Sequence, residues 1–102
     1  GYADGVPRNL SNQMVALVRG QRVPQIGAVT MDQLMLDVSQ IPELQEGEVV
    51  TLLGSDGDAT IAADDWATTL GTISWEILCG FKHRLPRIAV SQPVSGALRR
   101  EA

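Results

Sequence analysis

Glycine cuts this chain into pieces too short for long helices. Gly20, Gly27, Gly47, Gly54 and Gly57 punctuate the first sixty residues, with Asp, Asn, Ser or Pro beside several of them. Such residues mark turns, because glycine accepts backbone angles closed to other residues. Between the turns lie short runs rich in Val, Leu and Ile, the composition of strands on a half-buried pleated surface. Gly1 to Asn12 reads as loop and short turn, and Gln13 to Val18 as a first strand. A hairpin turn at Arg19-Gly20-Gln21 leads to a second strand, Val23 to Ile26, which Pro24 assigns to a sheet edge. A third extended stretch, Ala28 to Thr30, is interrupted by Met31-Asp32-Gln33 and resumes from Leu34 to Val38. Ile41 to Gly47 is a connection. Val49 to Leu53 is the clearest strand, closed by a turn over Gly54-Ser55-Asp56-Gly57.

The period then changes. Ala62, Trp66 and Leu70 recur every fourth residue, with Asp64 and Asp65 early and Gly71 just past the end. A second short helix is expected from Ile73 to Cys79, with Thr72 as N-cap and Gly80 as stop. Leu85 to Val90 returns to strand. The fold expected is therefore mainly β, a partial β-barrel of short strands with two short helices near residues 62–79. Residues 1–90 form the domain and 91–102 a tail.

Charge and composition exclude several functions. The net charge is −4, and the basic residues do not cluster as phosphate binding requires, so nucleic acid is not an expected partner. The apolar runs are too short for a membrane helix. Cys79 is the only cysteine, which rules out an intrachain disulfide and fits a reducing compartment. The chain begins with glycine, and a fragment, processed product or engineered piece with part of its function upstream is expected.

Few residues carry candidate chemistry. A calcium loop starting at Asp56 would need glycine where Ile61 stands and glutamate where Ala67 stands. His83 and Cys79 are one soft-ligand pair and cannot complete a zinc site, so no metal is expected. Cys79 reads as a buried small apolar residue and His83 as a surface strand residue. Gly1-Tyr2-Ala3-Asp4-Gly5 could present a phenol at a cavity mouth, or be an ordinary turn with a half-buried tyrosine. Met31-Asp32-Gln33 could free backbone N–H groups for a carboxylate or phosphate, or be a plain bulge. Lys82, the sole lysine, sits beside His83 and Arg84 and reads as solvated.

Five segments in order resemble the alanine racemase family. They are Gly1-Tyr2-Ala3-Asp4-Gly5-Val6-Pro7-Arg8, Val29-Thr30-Met31-Asp32-Gln33-Leu34-Met35 and Ala63-Asp64-Asp65-Trp66-Ala67. Gly71-Thr72-Ile73-Ser74-Trp75-Glu76-Ile77-Leu78-Cys79-Gly80 and Arg84-Leu85-Pro86-Arg87-Ile88 complete the series. The resemblance implies a (β/α)8 barrel that carries pyridoxal 5'-phosphate (PLP) on a lysine. It also implies a C-terminal β-domain that completes the site of a partner subunit. Racemisation of alanine would use that lysine and a tyrosine as bases on opposite faces of the α-carbon.

Both of those bases would lie upstream of this chain, which alone would be inactive. Carried over by position, Met31 would meet the substrate carboxylate through its backbone N–H, with Asp32 beside it. Tyr2, Arg8 and Ala28 would line the entrance, and Trp75 would face the cofactor phosphate. Two departures stand out. Trp75 replaces a tyrosine usual at the phosphate, and Ala28 replaces an arginine common in the corridor.

The resemblance further implies a cytoplasmic enzyme supplying D-alanine for peptidoglycan, working as a homo-oligomer with the partner's PLP domain. Missing first strands would expose sheet edges and favour self-association. A racemase of broader amino-acid specificity on the same fold, and a non-catalytic β-domain that binds a partner, are the alternatives.

Overall fold

The structure, a computed structural model, describes residues 1–82 and 84–89; His83, Val90 and the 91–102 tail lie outside them. Six strands and two helices follow two 3-10 turns at Tyr2–Asp4 and Arg8–Leu10. The strands are β1 (Val15–Val18), β2 (Gln21–Ile26), β3 (Met35–Leu36), β4 (Val50–Thr51), β5 (Gly54–Asp56) and β6 (Ala59–Ile61). Helix α1 spans Ala63–Leu70 and α2 spans Ser74–Cys79. One antiparallel sheet runs β3-β2-β1-β4 and a separate hairpin joins β5 to β6. The fold is mainly β, with the larger sheet curled into half a barrel, as the turn spacing predicts.

The β1–β2 hairpin is made by Arg19 (φ 52°) and Gly20 (φ 73°), a double left-handed turn that suits the twist of paired strands. Arginine is an uncommon choice there. It is held by a fork on Glu48, with Nε to Oε1 at 2.7 Å and Nη2 to Oε2 at 2.6 Å. The Gly20 N–H donates to Asp56 at 2.8 Å and ties this turn to the second hairpin.

Strand β1 is buried on both faces and separates two cores. Leu17 packs with Val6, Leu10, Val29, Trp66 and Ile77 on one side; Ala16 and Val18 pack with Val23 and Ile41 on the other. Leu17 is fully buried, and its burial alone contributes about 2–3 kcal/mol. The first core joins the N-terminal turns to both helices, so tyrosine turn, β1 and helices are one packed unit.

Several sequence expectations need correction. Pro24 does not put β2 at an edge, since β2 lies between β1 and β3. The Gln25 N–H points to Met14 of the β1 side, and the Pro24 carbonyl accepts from Asp37 of the β3 side. The N–H that proline lacks therefore faces β3, and the β2–β3 pairing runs only from Gln25 to Ile26. Ala28 to Thr30 forms no strand, and the run from Leu34 to Val38 contributes only Met35–Leu36.

Val49 to Leu53 yields two ladder residues, because Leu52 turns in to pack against both cores. The supposed turn over Gly54 to Asp56 is strand β5, reversed by Gly57 (φ 63°) and Asp58. Residues 85–89 are not strand; Arg87 folds back to donate to the Phe81 carbonyl at 3.0 Å.

Both helices form near their expected bounds. At α1, Asp65 accepts the Ala62 N–H at 2.7 Å, one half of a capping box, while Ala62 has no side-chain acceptor to offer in return. Gly71 closes α1 in the left-handed region at φ 73°. Trp66 is buried against Phe81, and its indole N–H has no partner among the described residues. The N-cap of α2 is Ile73, not Thr72, whose hydroxyl bonds instead to Glu76. Cys79 is exposed, not buried, because Ile77 occupies the inward side of α2 and a residue two places on points away.

Candidate functional site

Backbone pairing brings the tyrosine turn and the interrupting run together. The Tyr2 N–H donates to the Thr30 carbonyl at 2.9 Å and the Ala3 N–H to the Met31 carbonyl at 3.0 Å. The approach is close enough that only glycine fits at position 1, where a Cβ would lie 1.9 Å from the Thr30 oxygen. Gly5, at φ 110°, packs so tightly on the end of α2 that a Cβ would meet Phe81 at 2.7 Å. The small residues of this turn therefore serve close packing. Tyr2 is 42% exposed and Met31 53% exposed, and they sit on neighbouring turns joined by backbone bonds.

The interruption at Met31 is a closed turn rather than a slack bulge. Thr30 N–H donates to the Gln33 carbonyl at 2.9 Å, and the Gln33 N–H donates to Thr30 Oγ1 at 3.1 Å. The turn satisfies its two ends and leaves its crest open. Among the described residues, the N–H groups of Met31 and Asp32 have no hydrogen-bond acceptor. Beside it lies an open groove of about 460 Å³, bounded by Gly1, Val6, Asp32, Leu34, Val50 and Leu52.

The segments that carry Arg8 and Ala28 are joined by a second set of bonds. Gln25 is buried in β2, where its Oε1 accepts the Asn12 N–H at 2.7 Å. Its Nε2 donates to the Ile26 and Gly27 carbonyls, both at 2.9 Å. Asn12 accepts the Gly27 N–H at 2.8 Å, and Ser11 accepts the Val29 N–H at 2.8 Å while donating to the Arg8 carbonyl at 2.6 Å. Ala28, exposed, is thus clasped between two residues bonded to the turn that follows Arg8, itself exposed.

Trp75 is not drawn into these contacts. It stands 72% exposed on α2, with its indole N–H unengaged among the described residues. Lys82 is exposed, and no metal-binding cluster is found among the described residues.

Reading the sequence does not find two groups that build the site. Gln25 is one; its only trace is a polar residue in phase with buried Val23. Arg84 is the other. It donates from Nε to Asp4 at 2.7 Å, again from Nη2 to Asp4, and from Nη2 to Asp32 at 3.0 Å. The guanidinium holds the Asp4 carboxyl below the usual carboxylate range, and the two aspartates push the arginine above its own. Partners 80 and 52 residues apart leave no local signal.

Known proteins share the sequence and fold of this chain. Residues 1–89 match the family described as alanine racemase, C-terminal domain. An alanine racemase of Nostoc sp. is 74% identical over 90 residues, which are 88% of this chain and 23% of that protein. An alanine racemase structure from Bacillus anthracis with bound L-Ala-P superposes at a TM-score of 0.79 with 45% identity, over 86% of this chain and 22% of the other. One from Bartonella henselae with covalently bound pyridoxal phosphate gives 0.78 at 33% identity, over 88% and 24%. The chain thus spans about a quarter of the relatives it matches.

Proposed function

The chain belongs to the alanine racemase family, as part of its C-terminal domain, and on that premise we propose that it is one wall of the site of a PLP-dependent alanine racemase. The observation that carries this reading is the backbone pairing of the turn that bears exposed Tyr2 with the Met31 turn, whose crest keeps open N–H groups. The Met31 N–H donates to the substrate carboxylate, a charge-assisted bond made by backbone that needs no rotamer search. Asp32 stands next to it on the groove wall, and Tyr2 narrows the inner entrance. Arg8 and Ala28 line the corridor outside.

PLP, when bound, supplies the electron sink that makes the α-proton of alanine acidic. The residues present suit a supporting role toward it. Trp75 offers an unengaged indole N–H to the phosphate, and Met31 an unengaged amide to the substrate. Neither base comes from this chain, whose one lysine, Lys82, is exposed and whose one tyrosine is Tyr2. The lysine belongs to the barrel domain and the second base to residues upstream of Gly1. The enzyme acts as a homo-oligomer in the cytoplasm, providing D-alanine for peptidoglycan. Among the described residues no helix is long and apolar enough to cross a membrane.

The full-length polypeptide, loaded with PLP and given L-alanine, should form D-alanine, while residues 1–102 alone should form none. Absence of D-alanine from the full-length protein overturns the reading. Exposed Ala28 favours a second reading, tolerance of larger amino acids, because a methyl group leaves the corridor wider than an arginine does. If so, Ala28→Arg should lower kcat/KM for serine against alanine by about tenfold, the discrimination one altered pocket contact supplies.

A further inference from the structure

The geometry points to Arg84 as a positioning residue for the substrate carboxylate: one guanidinium clamps Asp4 of the tyrosine turn and Asp32 of the Met31 turn, fixing the two walls and offsetting their charge. This rests on the reading just given, and extends it to a residue outside the groove. Three observations support it. The guanidinium is the only side-chain link between the two turns among the described residues; their other links are backbone bonds. The Asp4 side chain is 14% exposed, so its orientation is set, while those of Asp32 and Arg84 are 59% and 61% exposed. Arg84 spans 80 and 52 residues to reach partners that are neither each other's sequence neighbours nor bonded to each other.

Chemistry assigns the consequence. A carboxylate approaching the Met31 N–H comes up beside the Asp32 carboxylate, and like charges at short range repel. With Arg84 in place, two aspartates share one cation through a fork that fits carboxylate geometry. Without it, two negative charges stand uncompensated next to the amide that must receive a third. Lysine could supply the charge but not the fork, so it would hold one wall and release the other.

The test uses the full-length enzyme with PLP, comparing Arg84→Gln, Arg84→Lys and the double variant Arg84→Gln with Asp4→Asn. Arg84→Gln should raise KM for L-alanine about tenfold while kcat stays within about twofold, the mark of lost ground-state binding. Arg84→Lys should fall between. Removing one uncompensated charge with Asp4→Asn should bring KM back to within about threefold of wild type, which loss of a merely structural bond would not allow. An unchanged KM in Arg84→Gln overturns the proposal, as does a double variant no better than the single one. Should Arg84→Gln fail to melt cooperatively, the KM and kcat of Arg84→Lys decide in its place, and an unchanged KM there overturns the proposal equally.

A wild-type enzyme without alanine racemisation overturns the functional reading instead. The clamp is then read by carboxyl NMR titration. Asp4 should titrate below the usual range in wild type and return to it in Arg84→Lys or Arg84→Gln, and an ordinary Asp4 in wild type overturns the clamp as well.

Discussion

The buried amide of Gln25 accepts the backbone N–H of Asn12 at 2.7 Å, thirteen residues away, across the start of the sheet. The same side chain donates to the carbonyls of Ile26 and Gly27 at 2.9 Å. A single glutamine thereby serves three backbone groups, two of which, the Asn12 N–H and the Gly27 carbonyl, lie beyond the ends of the ladder. Replacing Gln25 with leucine should destabilise the protein by about 2 kcal/mol, since the part-buried Asn12 N–H and Gly27 carbonyl then lose their partner. Gln25→Glu separates packing from chemistry. It keeps the acceptor for Asn12 but sets a carboxylate against two carbonyls, so it should be weak at neutral pH and partly recover on acidification, when it can donate again. Urea unfolding near pH 7.5 and pH 5 checks both variants; a neutral Gln25→Leu would show the clasp to be dispensable.

Glycines with the same backbone preference should not be equally replaceable. Gly5 and Gly27 both have positive φ, at 110° and 78°. Nothing lies within 4 Å of a Cβ built on Gly27, whereas one on Gly5 would meet the Phe81 ring at 2.7 Å and the Gly80 carbonyl at 3.0 Å. Gly27→Ala should therefore cost only the left-handed backbone term, about 1 kcal/mol. Gly5→Ala should cost about 3 kcal/mol, because the end of α2 must also move off the tyrosine turn. Thermal melting of the two variants orders them, and equal losses would show that the Gly5 contact relaxes freely.

Acid should loosen the fold in a defined direction. The Arg84 fork lowers Asp4, the Arg19 fork and the Gln45 N–H lower Glu48, and hydrogen bonds from Ser39 lower Asp37. In the unfolded chain these carboxylates titrate near pH 4, so below about pH 5 the unfolded state takes up protons that the folded state refuses. Their stabilisation is complete above that range and disappears as pH falls through the lowered folded values. All three lie at the surface in partial contact with solvent, Asp4 less exposed than Glu48, so the effect is small and weakened by salt. Melting temperature should fall steadily from pH 5 to pH 2, with a shallower slope in Glu48→Gln. A melting temperature that rises on acidification would contradict the assignment.

The parts of this fold legible in the sequence are those whose cause is local. Arg19-Gly20 reverses the chain because of its own backbone angles, and α1 declares itself through Ala62, Trp66, Leu70 and Gly71 within ten residues. Strand extent is not local. Val49 to Leu53 is apolar but for Thr51, yet Leu52 leaves the ladder because two cores lie within its reach. Pro24 misleads for a related reason: the sequence shows that a donor is missing but not which neighbour it would have faced. In the site, resemblance supplies roles for Met31, Tyr2 and Trp75. It is silent on Gln25 and Arg84, whose partners are assigned only when the chain is folded.

Trp75 gives the sharpest test of how this chain would meet the cofactor. Its indole is 72% exposed on α2 and its N–H has no acceptor among the described residues, so the group is available to a phosphate arriving from another domain. Indole donates through one N–H fixed in the ring plane, while a phenol donates from a rotating hydroxyl at the ring's far end. Trp75→Phe removes the donor and keeps an aromatic face. PLP affinity of the full-length apoenzyme should fall about tenfold, the worth of one hydrogen bond to a charged acceptor. Trp75→Tyr should bind PLP at least as tightly as wild type, because the hydroxyl can turn to find the phosphate oxygen. Both values follow from quenching of protein fluorescence on titration with PLP. If Trp75→Phe binds as well as wild type, the indole lies out of reach of the phosphate, and the cofactor is held without this helix.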